Sequence, residues 1–344
     1  MIGRGATAAA RLAAIAALAL LGASGGLAGE GSPSTSVGAS TVAPPASPSP
    51  PDAAALLAIR VERDVPFTRR LPCTERQHGC IQLADILSPT TGGPWPTVLT
   101  VHGRPRTPRD MRPLARALAR RGAVVFNIDY RGVRPVGKGF PESIEDVACA
   151  VRFARARTAE HGGDPDRVIL VGHSQGGYVS ALVALVGDGF PGHPGDCLVD
   201  GGDPLPQGLV HLAGVSLIDP DDPGDVDHLY FGGYPEERPR QWQRGDVYRQ
   251  LGGNPDLQVA IIFELRDPIL PDANATYLQL ALSTAGYDTE LTLLEEGNTH
   301  FDVLDMDTAL GERVLGLVRA LIDRTPADRL VAGPTTSPAA SPVG

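Results

Sequence analysis

Short apolar runs bounded by Gly, Pro and Asp recur along the middle of the chain and read as β-strands. They fall at Ala55 to Val61, Ile81 to Leu87, Thr97 to Val101, Ala123 to Ile128, Val168 to Val171, Leu209 to Val215, Leu257 to Phe263 and Thr289 to Leu294. Between most of them, apolar positions at helical spacing predict helices over Pro108 to Arg121, Ser143 to His161, Gln175 to Val186, Asp272 to Ala285 and Leu304 to Asp323. Strands in succession, then strict alternation with helices, predict an α/β class fold with a mostly parallel sheet covered on both faces.

Two segments break the alternation. Residues 187–207 and 219–254 are rich in Gly, Pro and Asp, and the second carries Tyr230, Phe231, Tyr234, Trp242 and Tyr248. Because it follows a strand, it would overhang the C-terminal edge of the sheet, where ligands bind in open α/β folds. It reads as a small lid at 219–254, the alternative being a surface loop whose aromatics pack on the body.

The ends of the 344-residue chain look different from its middle. Residues 1–29 carry Arg4 and Arg11, an apolar run from Leu12 to Leu21 and small residues ending near Ala28, the pattern of a secretory signal peptide or of an uncleaved N-terminal anchor. Residues 30–54 are a Pro/Ser/Thr-rich stretch too poor in apolar surface to fold, hence a disordered linker, and 327–344 read as a flexible tail of similar flavour. Residues 55–326 suit one large catalytic domain. The net charge of −10 speaks against nucleic acid as a partner. Beyond the N-terminal segment no integral membrane domain is expected, the expected location is secreted or cell envelope, and the sequence is silent on oligomeric state.

Four cysteines in an exported chain point to disulfides. Cys73 and Cys80 bracket a polar turn, and closing that small loop would contribute about 2.5 kcal/mol in the chain-entropy model. Cys149 falls on a predicted helix and Cys197 in a Gly/Pro-rich excursion that a bridge would pin down, the alternative being a buried thiol at Cys149. No Cys/His spacing resembles a metal site, and no cofactor is called for.

The most specific chemical signal is Gly172-His-Ser174-Gln-Gly176, an apolar strand running into Gly-x-Ser-x-Gly and then into a helix. A serine on so tight a turn is strained, glycines on either side remove the clashes, and the turn presents its hydroxyl beside a helix N-terminus. A nucleophilic serine needs a base, an acid to orient that base, and donors for the oxyanion. His300 follows the last predicted strand and is the candidate base. Asp267 ends the preceding strand unit, before Pro268, and is the candidate acid; Asp219 and Asp272 are rival positions. Oxyanion donors are expected from the backbone N–H of Gln175 and, after the strand ending at Val101, from that of Arg104 or Gly103.

Together, His102-Gly-x-Pro105, Asp129-Tyr-Arg-Gly132, Gly172-His-Ser-Gln-Gly176, Asp267-Pro268 and His300 resemble the serine esterase and lipase branches of the α/β-hydrolase superfamily. Phe140 to Val147 and Gly162 to Arg167 are similar to the helix and turn before the elbow in carboxylesterase and feruloyl-esterase-like members. Hormone-sensitive-lipase-like esterases carry His-Gly-Gly-Gly where this chain has His102-Gly-Arg-Pro105, and the epoxide hydrolase and dehalogenase relatives carry Asp where it has Ser174. The resemblance implies an α/β-hydrolase fold of about eight strands with a small lid insertion. It also implies hydrolysis of a small-molecule carboxylic ester through Ser174, His300 and Asp267, with an acyl-enzyme intermediate. A serine peptidase or an acyltransferase could use the same machinery. A catalytically silent binding domain on a Pro-rich spacer is the reading of a different class, and the filled triad positions argue against it.

Overall fold

In the computed structural model, β-strands form at each of the eight predicted places and join one sheet in the order β1-β2-β4-β3-β5-β6-β7-β8. They are β1 (Ile59–Pro66), β2 (Leu83–Pro89), β3 (Trp95–Val101), β4 (Val124–Ile128), β5 (Gly163–His173), β6 (Gly208–Leu212), β7 (Gln258–Glu264) and β8 (Asp288–Leu294). The structure describes residues 56–69, 81–104, 107–132, 139–186, 196–221 and 227–327, all in the unit that begins at Leu56. The predicted leader and linker, Cys73, Cys80, Pro105 and the tail from residue 328 onward lie outside the described residues.

β1 and β2 pair antiparallel, β2 joins β4 antiparallel, and from β3 to β8 every pairing is parallel. Parallel strands need crossover connections, and these supply α1 (Pro108–Ala119), α2 (Glu142–Arg157), α3 (Gln175–Val186) and α6 (Ala273–Thr284), while α7 (Ala309–Arg324) follows the last strand and packs back on the sheet. Between β6 and β7 lie the short helices α4 (Asp227–Phe231) and α5 (Pro239–Gly245).

Strand side chains alternate between two cores, as a period of two requires. Val168, Leu170, Val259, Ile261 and Phe263 enter one core with α2, α3 and α6. Ile169, Val171, Ala260 and Ile262 enter the other with Met111 and Leu114 of α1 and Val314, Val318 and Leu321 of α7. α3 is apolar on all sides and is buried from Gly176 to Leu185, as a helix without a polar face must be. Its outer side is covered by the segment the sequence reads as a lid. There Tyr178 donates its hydroxyl to Gly245 O at 2.7 Å, and Asn254 Nδ2 donates to Ala184 O at 3.0 Å near the helix end.

In that segment Tyr230, Phe231 and Trp242 are buried; Phe231 packs tilted or edge-on against Tyr230, Trp242 and Phe140, and Tyr230 edge-on against Phe140 and Tyr178. The Tyr230 hydroxyl lies 2.6 Å from Ser143 Oγ on α2. These rings extend the body's core, while Tyr234 stays 44% exposed. Cys149 and Cys197 form a disulfide, which ties the start of the 196–221 stretch to the middle of α2, beside a bridge from Thr68 to Cys197. Among the described residues no helix is long and apolar enough to cross a membrane.

Candidate active site

The parallel register brings the chemistry to one edge. Val101 on β3 lies opposite Gly172 on β5, and Leu212 on β6 lies opposite His173, so the chain leaves three neighbouring strands side by side around Ser174. Ser174 has φ of 56°, one of three non-glycine residues among those described with positive φ. That conformation costs about 1–3 kcal/mol and persists only where the surroundings impose it. Here Ser174 N donates to Leu212 O, and Ser174 O accepts from the N–H groups of Gly177 and Val215, at 3.0–3.2 Å.

The two glycines of the elbow are required by contact. A Cβ at Gly172 would lie 2.6 Å from Ser180 Oγ, and one at Gly176 would lie 2.5 Å from His102 O and closer still to Val101 O. A Cβ at Gly103 would lie 2.7 Å from that of Ser174, so the loop after β3 runs against the serine. Gln175 opens α3, and the N–H groups of a first helical turn have no acceptor within their own helix.

His300 is 2% exposed and its Nδ1 is 2.5 Å from Asp267 Oδ2. Asp267 Oδ1 accepts from the N–H groups of Ile269 and Leu270 at 2.8 and 3.0 Å. Burial alone would raise the Asp267 carboxyl, but the hydrogen bonds from His300, Leu270 and Ile269 outweigh it and hold the group below its ordinary value. Since an ionised Asp267 can only accept, His300 Nδ1 carries the proton and Nε2 presents its lone pair. Nε2 is buried and has no hydrogen-bond partner among the described residues, Ser174 Oγ included.

The imidazole nevertheless belongs to the neighbourhood of the elbow. His173, next to Ser174, bonds through Nε2 to His300 O at 2.9 Å, and the two rings are 4.8 Å apart. Of the rival acids, Asp272 is the N-cap residue of α6, and Asp219 Oδ1 accepts from Asp221 N.

Several supporting groups are not apparent from sequence reasoning. The Tyr130 hydroxyl donates to His102 O at 2.7 Å and its ring stacks on the His102 imidazole. His102 Nδ1 bonds to Gly103 O at 2.9 Å and its Nε2 to Asp129 Oδ1 at 3.1 Å. Arg131 grips the buried Asp146 of α2 through its backbone N–H and its guanidinium. The sequence signal was the Asp129-Tyr-Arg-Gly132 motif itself, whose partners only the fold reveals. Arg104 lies close enough to Asp227, the first residue of α4, to feel its charge; burial lowers the guanidinium pKa and Asp227 partly offsets this. On the His300 loop, Asp302 accepts from Asn298 N, Thr299 N and Thr299 Oγ1.

Comparisons with known proteins agree with this architecture. The BD-FAE family profile matches residues 84–196. Over 102 residues the chain is 39% identical to esterase LipC of Mycobacterium tuberculosis, 30% of this chain and 23% of that one. Over 83 residues it is 39% identical to carboxylesterase NlhH of the same organism, 24% of this chain and 25% of that one. The chain thus spans about a quarter or less of the length of the curated relatives it matches. Among solved structures, a truncated carbohydrate esterase from gut microbiota aligns with a TM-score of 0.60 at 17% identity, over 78% of this chain and 98% of that one. A propionate-bound esterase of the Planctomycetes species Thermogutta terrifontis aligns at 0.58 and 19% identity, over 75% and 93%.

Proposed function

This chain has the α/β-hydrolase fold, and from that premise we propose that it is an exported serine hydrolase that cleaves carboxylic esters through Ser174, His300 and Asp267. The observation that carries the reading is a buried His300 whose Nδ1 is bonded to Asp267 while its Nε2 has no partner, beside a serine strained into the left-handed region.

In the proposed reaction His300 Nε2 takes the Ser174 proton as Oγ attacks the ester carbonyl. Asp267 holds the imidazole in the required tautomer and stabilises its cation. The carbonyl oxygen, now an oxyanion, is met by the N–H groups of Gln175 and Arg104. The Gly103 carbonyl is turned toward His102 Nδ1; in a trans peptide the N–H of the next residue points the opposite way, which directs the Arg104 N–H away from that ring. His300 then gives its proton to the leaving alcohol. A water, deprotonated by the same nitrogen, attacks the acyl-enzyme and releases the acid with Ser174 restored.

Ester hydrolysis, rather than amide hydrolysis or acyl transfer, is supported by the esterase names of the curated relatives. Export is supported by the leader-like residues 1–29 and by the disulfide, a bond that persists in oxidising compartments. A fluorophosphonate probe should label the wild-type protein and leave Ser174→Ala unlabelled. A series of p-nitrophenyl esters set against peptide amides should show turnover of the esters only. Labelling that survives Ser174→Ala, or amide cleavage at ester-like rates, would overturn the assignment.

A further inference from the structure

β7 ends on a carboxylic acid that the proposed reaction does not use. Glu264 is 1% exposed, and neither of its carboxyl oxygens has a hydrogen-bond partner among the described residues. It lies directly beneath the loop that carries His300: a Cβ at Gly297 would sit 2.5 Å from Glu264 Cδ and closer still to Oε1. Its main-chain carbonyl accepts from Asp267 N at 3.1 Å, so the residue that supports the base loop also forms the turn that presents the acid. The charged groups that raise it are Asp267, on the turn after its own strand, and Asp302, on the His300 loop.

Resting on the reading of His300 and Asp267 as base and acid, we propose that Glu264 is a positioning residue whose carboxyl, packed under Gly297, keeps the His300 loop seated against Asp267. An uncharged carboxyl fits that place, whereas a carboxylate would be a third negative charge without a donor to receive it. Burial, with Asp267 and Asp302 adding to it, pushes the Glu264 carboxyl up to about 8, so it stays protonated through neutral pH. Above that range ionisation sets a new negative charge on β7 facing Asp267 and the loop-borne Asp302, which pushes the His300 loop off β7 and loosens the base.

The sign for stability follows from the same shift. The folded state holds a proton that the unfolded chain releases near 4.5. Stability therefore falls as pH rises from that value to about 8, and levels off beyond it.

The test uses the full chain, wild type beside Glu264→Gln and Glu264→Ala, with fluorophosphonate labelling rate, kcat on p-nitrophenyl acetate and melting temperature each followed from pH 5 to 10. The wild type should show an activity break near pH 8 and a melting temperature that declines up to that pH. Glu264→Gln should keep neutral-pH kcat within about threefold and lose both features, since the amide fills the same space and cannot ionise. Glu264→Ala, which leaves the space beneath Gly297 empty, should lose at least tenfold in kcat at every pH. A break that persists in Glu264→Gln at its wild-type pH, a wild type with no break, or a Glu264→Ala with wild-type kcat would each overturn the proposal. Absence of labelling in the wild type would instead sink the assignment of Ser174, and the melting curves would still report on Glu264.

Discussion

Replacing Asp267 by Asn exchanges one carboxylate oxygen for an NH2 group with hardly any change in volume, yet the surroundings decide which way the new amide must face. Oδ1 of Asp267 receives two backbone N–H groups, from Ile269 and Leu270. An amide nitrogen placed there would oppose donor to donor, so the Asn carbonyl oxygen must keep that position and Nδ2 must turn to His300 Nδ1. A donor now faces Nδ1. The ring must respond by moving its proton to Nε2, where it can no longer accept the proton of Ser174. Such a tautomer error costs about 10⁴ in kcat, or about 5.4 kcal/mol of barrier. Stability should change by about 1 kcal/mol at most, because both N–H groups keep their acceptor. Steady-state hydrolysis of p-nitrophenyl acetate, with the melting temperature measured alongside, reads both quantities. A folded Asp267→Asn protein that loses less than tenfold in kcat would refute the orientation argument and with it the role of Asp267.

Two further substitutions probe the frame around the site. Gly176→Ala would press a methyl group into the carbonyls of Val101 and His102; overpacking of this kind costs about 1–3 kcal/mol, and the displaced loop should lower kcat by about 10², so a variant with wild-type kcat in the same assay would show that the elbow tolerates a Cβ. The Cys149–Cys197 bridge spans 48 positions and contributes about 4 kcal/mol in the chain-entropy model. The double Cys→Ser variant should melt about 10 °C lower while hydrolysing esters at a rate within about twofold of wild type at 25 °C, and an unchanged melting temperature would count against that contribution.

The strands were legible because a parallel sheet buried on both faces needs mostly apolar runs, and β4, β6 and β7 are such runs, broken in their interior only by Asn127 and His211. Where a strand has another reason to exist, its sequence hides it. β1 was expected at Ala55 to Val61 and forms at Ile59–Pro66, an edge strand with charged, half-exposed positions and a register shift between Glu62 and Val65. β5 begins at Gly163, not Val168, because Gly163 and Asp164 pair with Trp95 and Pro96 ahead of a second register shift. The last helix starts at Ala309, where Thr308 caps it by accepting from Gly311 N, and the residues before it form a separate turn of Asp302–Leu304. Ser174, Asp267 and His300 could be proposed from sequence because each follows a strand end, which a one-dimensional pattern records, and the fold brings Asp267 and His300 together. Glu264 could not: a charge closing an apolar run looks like a strand terminator, and its burial arises from Gly297, a residue 33 positions away across the edge. The aromatics at 230–242 read as an overhanging lid, with packing on the body as the alternative, because the sequence shows that α3 is apolar all round but not which segment covers it.

The positions of the proposed nucleophile and base are not independent in this fold. His173 is the last residue of β5 and the neighbour of Ser174, and its Nε2 holds the main-chain carbonyl of His300. The backbone at His300 is therefore referenced to the elbow itself, and from the other side its imidazole is held by Asp267, whose own oxygen is locked by two N–H groups. With both ends fixed, a rigid-body swing of the loop would have to break the His173 tie and the Asp267 bond together. What remains adjustable is the Ser174 hydroxyl, whose rotation about its χ1 requires no change in backbone. Catalytic hydrogen bonds are often long without substrate and tighten when it binds. On the proposed mechanism that tightening falls to the serine side chain, and the proposed acid and base stay preorganised, in the part of the site where reorganisation during the reaction would be most costly.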